Sequence, residues 1–361
     1  MVGLSTAMVL VERGMRVKVV SATFSPNTTS DTAAAIWHPF CAQPADQVLR
    51  WAQVSWKRFT ALYGVPDCGV SATDLTEYYR DRHSVCWWAD AATGTVRLPG
   101  AELPPGYGSA YRATVPLAEA GRFLAYLRRQ LEAAGVQLEQ RRIPELAALK
   151  SEATLVVNCT GLGAAELASD AEVYPIRGQI VRGRASGVKG VHIDDSVANR
   201  PVYVIPRSED CVLGGSADEE AWNFMPSDDL SVDIERRARA LVPTLEFERT
   251  AVKVGLRPGR SKVRLELERS IEGLVVHNYG HGGSGFTMSW GCAEDAAELV
   301  VTALSSRGAR SGAQEGKSHE QARVSSAAGT SYASRTSRLA VCRRCWNTSA
   351  ATPRATAGGR R

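Results

Sequence analysis

A glycine-rich run at residues 277–285, HNYGHGGSG, most narrows the folds open to this chain. The apolar residues 273–277 at its start predict a strand, and residues 286–305, rich in alanine, leucine and valine, predict a helix. A glycine-rich turn between a strand and a helix presents backbone N–H groups to an anion or to an electron-rich ring edge. The run therefore indicates an α/β fold with a ligand site at this turn, although the turn alone does not name the ligand.

The first residues of the chain predict part of a dinucleotide-binding unit. Residues 3–14 have apolar residues at helical spacing, and residues 16–20 follow as a short β-branched strand. In such a unit Gly-x-Gly-x-x-Gly joins the first strand to the first helix, and Gly3 stands where the third glycine would be. We expect the first βα unit to be truncated at this glycine motif. We also expect the DNA upstream of Met1 to encode the missing strand and Gly-x-Gly in frame.

The middle of the chain predicts a second region rich in strands. Helical spacing marks residues 46–63 and 117–134, and residues 154–159 have the composition of a buried parallel strand. A chain of 361 residues fits about two domains. We expect one mixed or antiparallel sheet to collect the other strand-like segments, which are residues 71–79, 106–114, 174–184, 201–206, 211–215 and 250–257.

The net charge of +5 comes from the end of the chain. Residues 306–361 hold 11 Lys and Arg against 2 Asp and Glu, so the other residues carry a net charge of −4. No nucleic-acid-binding pattern accompanies this basic tail, so we expect no nucleic acid partner. The tail has few large apolar residues to offset the entropy of ordering, and we predict residues 306–361 to be disordered. A tail that binds polyanions is the alternative.

The cysteines and the apolar stretches bear on the compartment. Most of the eight cysteines are isolated in apolar surroundings, which predicts free thiols in a reducing compartment. Cys342 and Cys345 have CxxC spacing without a second pair or nearby histidines, so we predict no metal site. No apolar stretch approaches the ~20 residues of a membrane span, and no secretory signal is recognisable. We expect a cytoplasmic protein without membrane contact.

Two strand residues and one loop are candidates for ligand contact. Tyr203 and Arg257 lie among apolar strand residues, where a polar side chain needs a partner. An Arg fork is shaped to hold a carboxylate, and a structural ion pair with an acid such as Glu266 is the alternative. In residues 28–40, hydroxyl residues followed by small ones suit a phosphate, ribose or flat ring. The alternative for this loop is a helix N-cap followed by a small packing face.

These motifs together resemble the D-amino-acid oxidase family. The blocks occur in the family's order and at comparable spacing over roughly residues 1–305, and the tail does not end in the Ser-Lys-Leu type of peroxisomal signal. They are residues 275–285 with Gly291 and Ala293, residues 28–31 with 37–39, and residues 157–161, 177–180, 202–206 and 255–258.

The resemblance implies a fold, a cofactor and a reaction. A Rossmann-like FAD-binding domain would comprise residues 1–52, 117–178 and 262–305. A mixed-sheet substrate domain, interleaved with it, would comprise residues 53–116 and 179–261. A D-amino acid would lose its α-hydrogen as hydride to the flavin of non-covalently bound FAD. The imino acid would hydrolyse to a 2-oxo acid and ammonia, and dioxygen would yield hydrogen peroxide. The partners are therefore a D-amino acid and dioxygen, and the resemblance leaves a homodimer open.

The resemblance also implies residue roles. Arg257 would clamp the substrate carboxylate, Tyr203 would donate a hydrogen bond to it, and the Gly283 carbonyl would accept from the amine; catalysis would then be mostly orientation. His38 would be a polar lining residue beside flavin and substrate. The cofactor-binding residues would be Gly3, Thr28, Thr29, Ser30, Trp37, His38, Cys159, Thr160, Gly161, Gly282, Gly283, Ser284, Gly285, Phe286 and Thr287.

Several departures from the family pattern leave alternatives open. Asn199 stands where mammalian members have a second active-site tyrosine, and residues 192–202 are shorter than their mobile lid, which suggests a more open site. The acidic residue that binds the adenosine ribose is replaced near residues 22–23. D-aspartate or glycine oxidase is an alternative activity, with Arg200 or Arg207 selecting an acidic side chain. A catalytically inactive truncated remnant that cannot retain FAD is the alternative of another class.

Overall fold

A computed structural model describes residues 1–40, 42–197, 199–270 and 273–315, with side chains as far as residue 306. The α-helices are α1 (Val2–Glu12), α2 (Thr29–Thr32), α3 (Ala45–Thr60), α4 (Ala120–Ala133), α5 (Ala164–Leu167), α6 (Asp228–Leu241) and α7 (Gly285–Glu315). The strands are β1 (Lys18–Ser21), β2 (Val70–Tyr79), β3 (Val96–Arg97), β4 (Ser109–Ala118), β5 (Gln137–Gln140), β6 (Val156–Asn158), β7 (Tyr174–Ser186), β8 (Val191–Asp194), β9 (Val202–Pro206), β10 (Cys211–Gly214), β11 (Asp218–Glu219), β12 (Glu246–Gly259), β13 (Arg264–Ser270) and β14 (Gly273–Tyr279).

Most of the strands form one large mixed sheet. Its order is β11-β7-β10-β9-β8-β2-β4-β3, and β12 pairs with β7 on the side away from β10. The neighbours β8 and β2 are parallel, whereas the other pairs are antiparallel. One face packs against α6, because Val181, Val204 and Leu213 form a buried cluster with Ile234 and Ala238 of that helix. The opposite face is left for the site described below.

The other layer consists of helices and two small sheets, one parallel and one mixed. Strands β1 and β5 pair in parallel, and β6 pairs in parallel with β14, which continues to β13. Helix α7 packs closely on α3, since a Cβ at Gly291 would lie 2.3 Å from the Trp51 Cα atom. The Ser55 hydroxyl stabilises this contact by accepting hydrogen bonds from the backbone N–H groups of Trp290 and Gly291.

The predicted elements are largely present, with several differences. Helix α6 and strands β5, β8 and β13 were not predicted, and α4 begins at Ala120 because the preceding residues finish strand β4. Helix α7 continues to Glu315, ten residues beyond the predicted end of the helix at residue 305. The rest of the basic tail, with Cys342 and Cys345, lies outside the described residues. No helix in the described part of the chain is long and apolar enough to cross a membrane.

Candidate active site

The free face of the large sheet carries a row of side chains across five strands. Glu77 pairs with Ile193, Ile193 with Tyr203, Tyr203 with Gly214, and Gly214 with Ile180. Because directly paired residues point to the same side of a sheet, these positions share one face. The row joins Tyr203 to a buried carboxylate that the sequence did not single out.

Two glycines let Tyr203 and Arg257 lie flat across neighbouring strands. A Cβ at Gly214 would lie 1.8 Å from the Tyr203 Cζ atom, and a Cβ at Gly178 would lie 2.2 Å from the Arg257 Nη1 atom. Both distances are far below van der Waals contact, so a side chain at either position would displace the group above it. Burial raises the pKa of Tyr203, and the nearby Arg257 guanidinium partly opposes that shift. The phenol is therefore a neutral hydrogen-bond donor.

The contacts of Arg257 fit a residue that binds a ligand better than they fit the predicted ion pair with Glu266. Its Nη1 atom donates to the Ser216 carbonyl at 3.1 Å. Glu266, proposed as its acid, instead accepts from Arg264 Nε at 2.7 Å. The predicted acid Glu266 therefore does not pair with Arg257. The guanidinium retains donors for a carboxylate ligand.

Two hydroxyls, one in the glycine-rich run and one in the first turn of α7, hold the His38 segment in place. The Thr287 hydroxyl donates to the His38 carbonyl at 2.9 Å and accepts from its N–H at 3.1 Å. The Ser284 hydroxyl makes the same pair of bonds with Phe40, at 2.6 Å and 2.7 Å. Gly283 also approaches this segment closely, since a Cβ at Gly283 would lie 3.0 Å from the Phe40 Cδ1 atom. The segment at residues 38–40 and the end of the glycine-rich run are therefore packed together, although they are far apart in sequence.

A cluster of three titratable groups closes one end of the face. His38 Nε2 lies 3.3 Å from Glu77 Oε2, and one ligand atom from each of His38, Glu77 and Asp195 lies within 4.8 Å of the others. Glu77 also accepts the indole N–H of Trp88. Burial disfavours the charged imidazole, but the Glu77 carboxylate outweighs burial and raises the pKa of His38. Sequence reasoning found only His38 of this cluster.

A second buried patch fits a cofactor beside the first turn of α1. Gly3 and Cys159 approach closely, with a Cβ at Gly3 lying 3.5 Å from the Cys159 Cβ, so two predicted cofactor residues meet. Asn278 Oδ1 and His281 Nε2 are buried without a hydrogen-bond partner in the described structure. Burial lowers the pKa of His281 to about 4, so the ring is neutral. Unpartnered buried atoms are costly, and a polar ligand such as FAD would satisfy them.

The loop at residues 28–40 fits both interpretations, since one part caps a helix and another part lines the pocket. Thr28 caps α2, because its side chain and its N–H both bond the Asp31 carboxylate, at 2.6 Å and 2.9 Å. Thr29 lines the pocket together with the small residues that follow it. Ala35 has a φ of 62°, in the left-handed region that alanine rarely adopts. Such local strain is common where a backbone must approach a ligand closely.

The other predicted cofactor residues are placed less directly. Trp37 is 2% exposed, and its indole donates to the Ala52 carbonyl at 2.8 Å, so its side chain belongs to the core. The Thr160 hydroxyl donates to Asn158 at 2.7 Å, which orients the loop that continues into Gly161. The remaining predicted residues surround these two regions and stay predictions, namely Ser30, Gly282, Gly285 and Phe286.

The pocket between these walls has a volume of about 140 Å³, which gives room for several water-sized groups. Its charged lining residues are His38, Asp195 and Arg257. Arg200 and Arg207 lie elsewhere: Arg200 pairs with Asp233 at 2.7 Å and Arg207 with Asp210 at 2.7 Å. The hypothesis that either arginine selects an acidic substrate is therefore wrong for this structure.

Comparison with known proteins agrees with these features. Residues 1–299 match the sequence profile of the FAD dependent oxidoreductase family, DAO. A D-amino-acid oxidase of Rubrobacter xylanophilus is 44% identical over 84% of this chain and 94% of that protein. Human D-aspartate oxidase is 34% identical over 83% of this chain and 92% of that protein. The structure of a glycine oxidase from Bacillus cereus superposes with a TM-score of 0.70 at 19% identity, covering 83% of this chain and 94% of that one. The chain belongs to the DAO family of FAD-dependent oxidoreductases, as the resemblance of its motifs predicted.

Proposed function

We propose that this oxidoreductase deaminates D-amino acids oxidatively to 2-oxo acids and ammonia, with dioxygen reduced to hydrogen peroxide. The observation that carries the proposal is Arg257, which lies flat over Gly178 next to Tyr203 and donates to the Ser216 carbonyl, while Glu266 pairs with Arg264. A guanidinium with free donors beside a neutral phenol suits a carboxylate ligand. Relatives named D-amino-acid oxidase and the family's FAD dependence support the same reaction.

The chain's own residues bind and orient the substrate. Arg257 and Tyr203 hold the α-carboxylate, and the Gly283 carbonyl accepts from the α-amine. FAD, when bound, supplies the two-electron acceptor for the hydrogen lost from substrate Cα. Gly3, Asn278 and His281 are the residues that we expect to hold it, since they form the patch beside α1. No side chain acts as a general base in this scheme, so the protein contributes orientation and exclusion of water.

The proposal extends to the organisation of the chain. We retain the division into an FAD-binding domain at residues 1–52, 117–178 and 262–305 and a substrate domain at residues 53–116 and 179–261. The described cysteines Cys68, Cys86, Cys159, Cys211 and Cys292 are unpaired, which supports a reducing compartment such as the cytoplasm. A homodimer stays a prediction, which sedimentation at several protein concentrations would test.

A flavin spectrum tests the proposed function directly. We expect the purified chain to carry the visible absorption of bound FAD, and this absorption to bleach when D-alanine is added under nitrogen. Readmission of air should restore the colour and release peroxide, whereas L-alanine should do neither. A colourless protein that takes up no added FAD would favour an inactive remnant. A coloured protein that no D-amino acid bleaches would refute the proposed substrate class.

A further inference from the structure

One arginine of helix α6 bonds three backbone carbonyls beside the candidate site. Arg237 has only 11% of its side chain exposed. Its Nη1 atom donates to the Arg200 carbonyl at 3.1 Å and to the Pro201 carbonyl at 2.8 Å. Its Nη2 atom donates to the Gly215 carbonyl at 3.0 Å. A single guanidinium thereby joins α6 to the segment before β9 and to the segment after β10.

These two segments lead directly to the residues that we expect to hold the substrate carboxylate. Pro201 lines the pocket and precedes Tyr203 by two residues. Gly215 is followed by Ser216, whose carbonyl accepts from Arg257 Nη1 at 3.1 Å. Displacement of either segment would therefore move one of the two proposed carboxylate-binding groups.

The two segments are also bonded to each other. The Pro201 carbonyl accepts from the Gly215 N–H at 2.7 Å as well as from Arg237. The Asn199 carbonyl accepts from the Ala217 N–H at 3.0 Å. Because these backbone bonds tie the segments together, the guanidinium holds them as a pair and sets their position relative to α6.

A carboxylate on the same helix fixes the direction of the guanidinium. Asp233 accepts from Arg237 Nε at 2.8 Å, from Arg200 at 2.7 Å and from Arg236 at 2.7 Å. Burial opposes the ionised form of Asp233, but the three arginines outweigh burial and hold the pKa of this carboxyl well below its usual range. A planar guanidinium that is anchored through Nε presents its two Nη atoms in fixed directions. The carbonyls are therefore held by a rigid group.

Helix α6 packs on the face of the sheet away from the pocket, so Arg237 supports the site from behind. Its charge still reaches the site. Burial raises the pKa of Tyr203, and the positive charges of Arg257 and Arg237 both oppose that rise. Without the guanidinium, water would bond the three carbonyls and satisfy them without fixing their positions.

We propose that Arg237 is a positioning residue for the carboxylate-binding pair of Tyr203 and Arg257. It acts through the backbone carbonyls before β9 and after β10 and keeps the phenol and the guanidinium at the spacing that one carboxylate requires. This inference rests on the proposed function, since it concerns the ligand of the same site.

Arg237→Met tests the inference, because methionine is long and flexible but has no donor. In flavin-loaded protein, the dissociation constant of pyruvate, titrated against the flavin absorption, should rise about tenfold, and kcat/KM for D-alanine should fall by a similar factor. A misplacement of about 1 Å can cost roughly 10²-fold, and the surviving backbone bonds limit the loss here. Arg237→Lys should raise the dissociation constant about threefold, because an ammonium lacks the fork that reaches several carbonyls.

Two variants of the same helix control for loss of charge and for weakening of α6. Arg236→Met removes an arginine that also donates to Asp233 but has 67% of its side chain exposed. Ser227→Ala removes the side chain that accepts from the Leu230 N–H at the start of α6, which weakens the helix. Both variants should keep the pyruvate dissociation constant within twofold of the parent. A loss confined to the variants at Arg237 is then a loss of position and not of stability.

The outcomes separate this inference from the proposed function. If the parent binds pyruvate and oxidises D-alanine, and Arg237→Met stays within threefold of it in both, the inference is overturned alone. An equal loss in Ser227→Ala would also overturn it, since weakening of α6 would then explain the effect. Where Arg237→Met yields no folded protein, an unchanged pyruvate dissociation constant in Arg237→Lys would overturn it. A parent that oxidises no D-amino acid would overturn the proposed function and the inference together.

Discussion

Replacing Gly178 by alanine isolates the placement of Arg257 without touching its chemistry. The added Cβ would lie 2.2 Å from the Arg257 Nη1 atom and 2.4 Å from Cζ and Nη2. Carbon and nitrogen atoms in contact are normally about 3.5 Å apart, so the guanidinium must move by at least ~1 Å. Gly178 lies inside β7 without a positive φ, and alanine fits its backbone. The main expected effect is therefore on the arginine.

The size of the loss follows from the bonds that are broken. A hydrogen bond to a charged group contributes about 1.5–3 kcal/mol, and a forked pair contributes two of them. Loss of both would cost about 3–6 kcal/mol, or roughly 10²–10⁴ in kcat/KM. Since the arginine can move and keep part of the contact, we expect Gly178→Ala to lose about 100-fold with D-alanine as substrate. Flavin content should remain, because the cofactor patch beside α1 is elsewhere.

The assay combines peroxide release with a binding measurement that needs no turnover. Titration of pyruvate against the flavin absorption should show a dissociation constant raised by a similar factor. Gly121→Ala is the control, because no atom would lie within 4 Å of its Cβ and alanine favours the helix α4. It should keep kcat/KM and melt at the same temperature or slightly higher. If Gly178→Ala kept kcat/KM within threefold, the assignment of Arg257 as the carboxylate clamp would be refuted.

Four further predictions follow from the site and the fold. Tyr203→Phe should raise KM for D-alanine about tenfold or more and leave flavin content unchanged, since one hydrogen bond to a charged group is lost; an unchanged KM would remove Tyr203 from the carboxylate site. Turnover should depend only weakly on solvent viscosity, because the connection at residues 195–201 is short, and a strong dependence would contradict this. Ser227→Ala should destabilise the fold by about 1 kcal/mol in urea unfolding, since Ser227 caps α6. The Glu77–His38 pair raises the pKa of His38 above ~6.5, so its stabilisation should be present below that pH and lost as pH rises through the folded pKa; Glu77→Gln should flatten the dependence of unfolding free energy on pH.

The spacing of apolar residues predicted the helices and strands that bury one face. It missed elements whose burial depends on contacts with distant parts of the chain. Strand β12 and helix α3 were predicted because their apolar residues recur at a single spacing. Helix α6 was missed because charged residues fill most of its surface, and only its capping serine and the buried face on Ile234 mark it. Strand β13 has the same difficulty, since its burial depends on pairing with β14.

The motifs predicted the position of the site better than the roles of its residues. Ser284 of the glycine-rich run and Thr287 of α7 were assigned to the cofactor, yet their hydroxyls bond the backbone of Phe40 and His38. Such bonds join segments about 250 residues apart in sequence, and no local pattern indicates them. The assignment to cofactor stays a prediction for these two residues, now with a structural role beside it.

Glu77 could have been found from the sequence, whereas its position near His38 and Asp195 could not. Leu75 and Glu77 are two positions apart in β2, so they share a face, and Leu75 is fully buried. A carboxylate on such a face requires a partner, which is a signal that the sequence contains. Its partners are His38 and Trp88, and the parallel pairing of β2 with β8 places Ile193 beside Glu77. Sheet order is a property of the whole fold, so the charge at this end of the pocket emerges only when the strands are assembled.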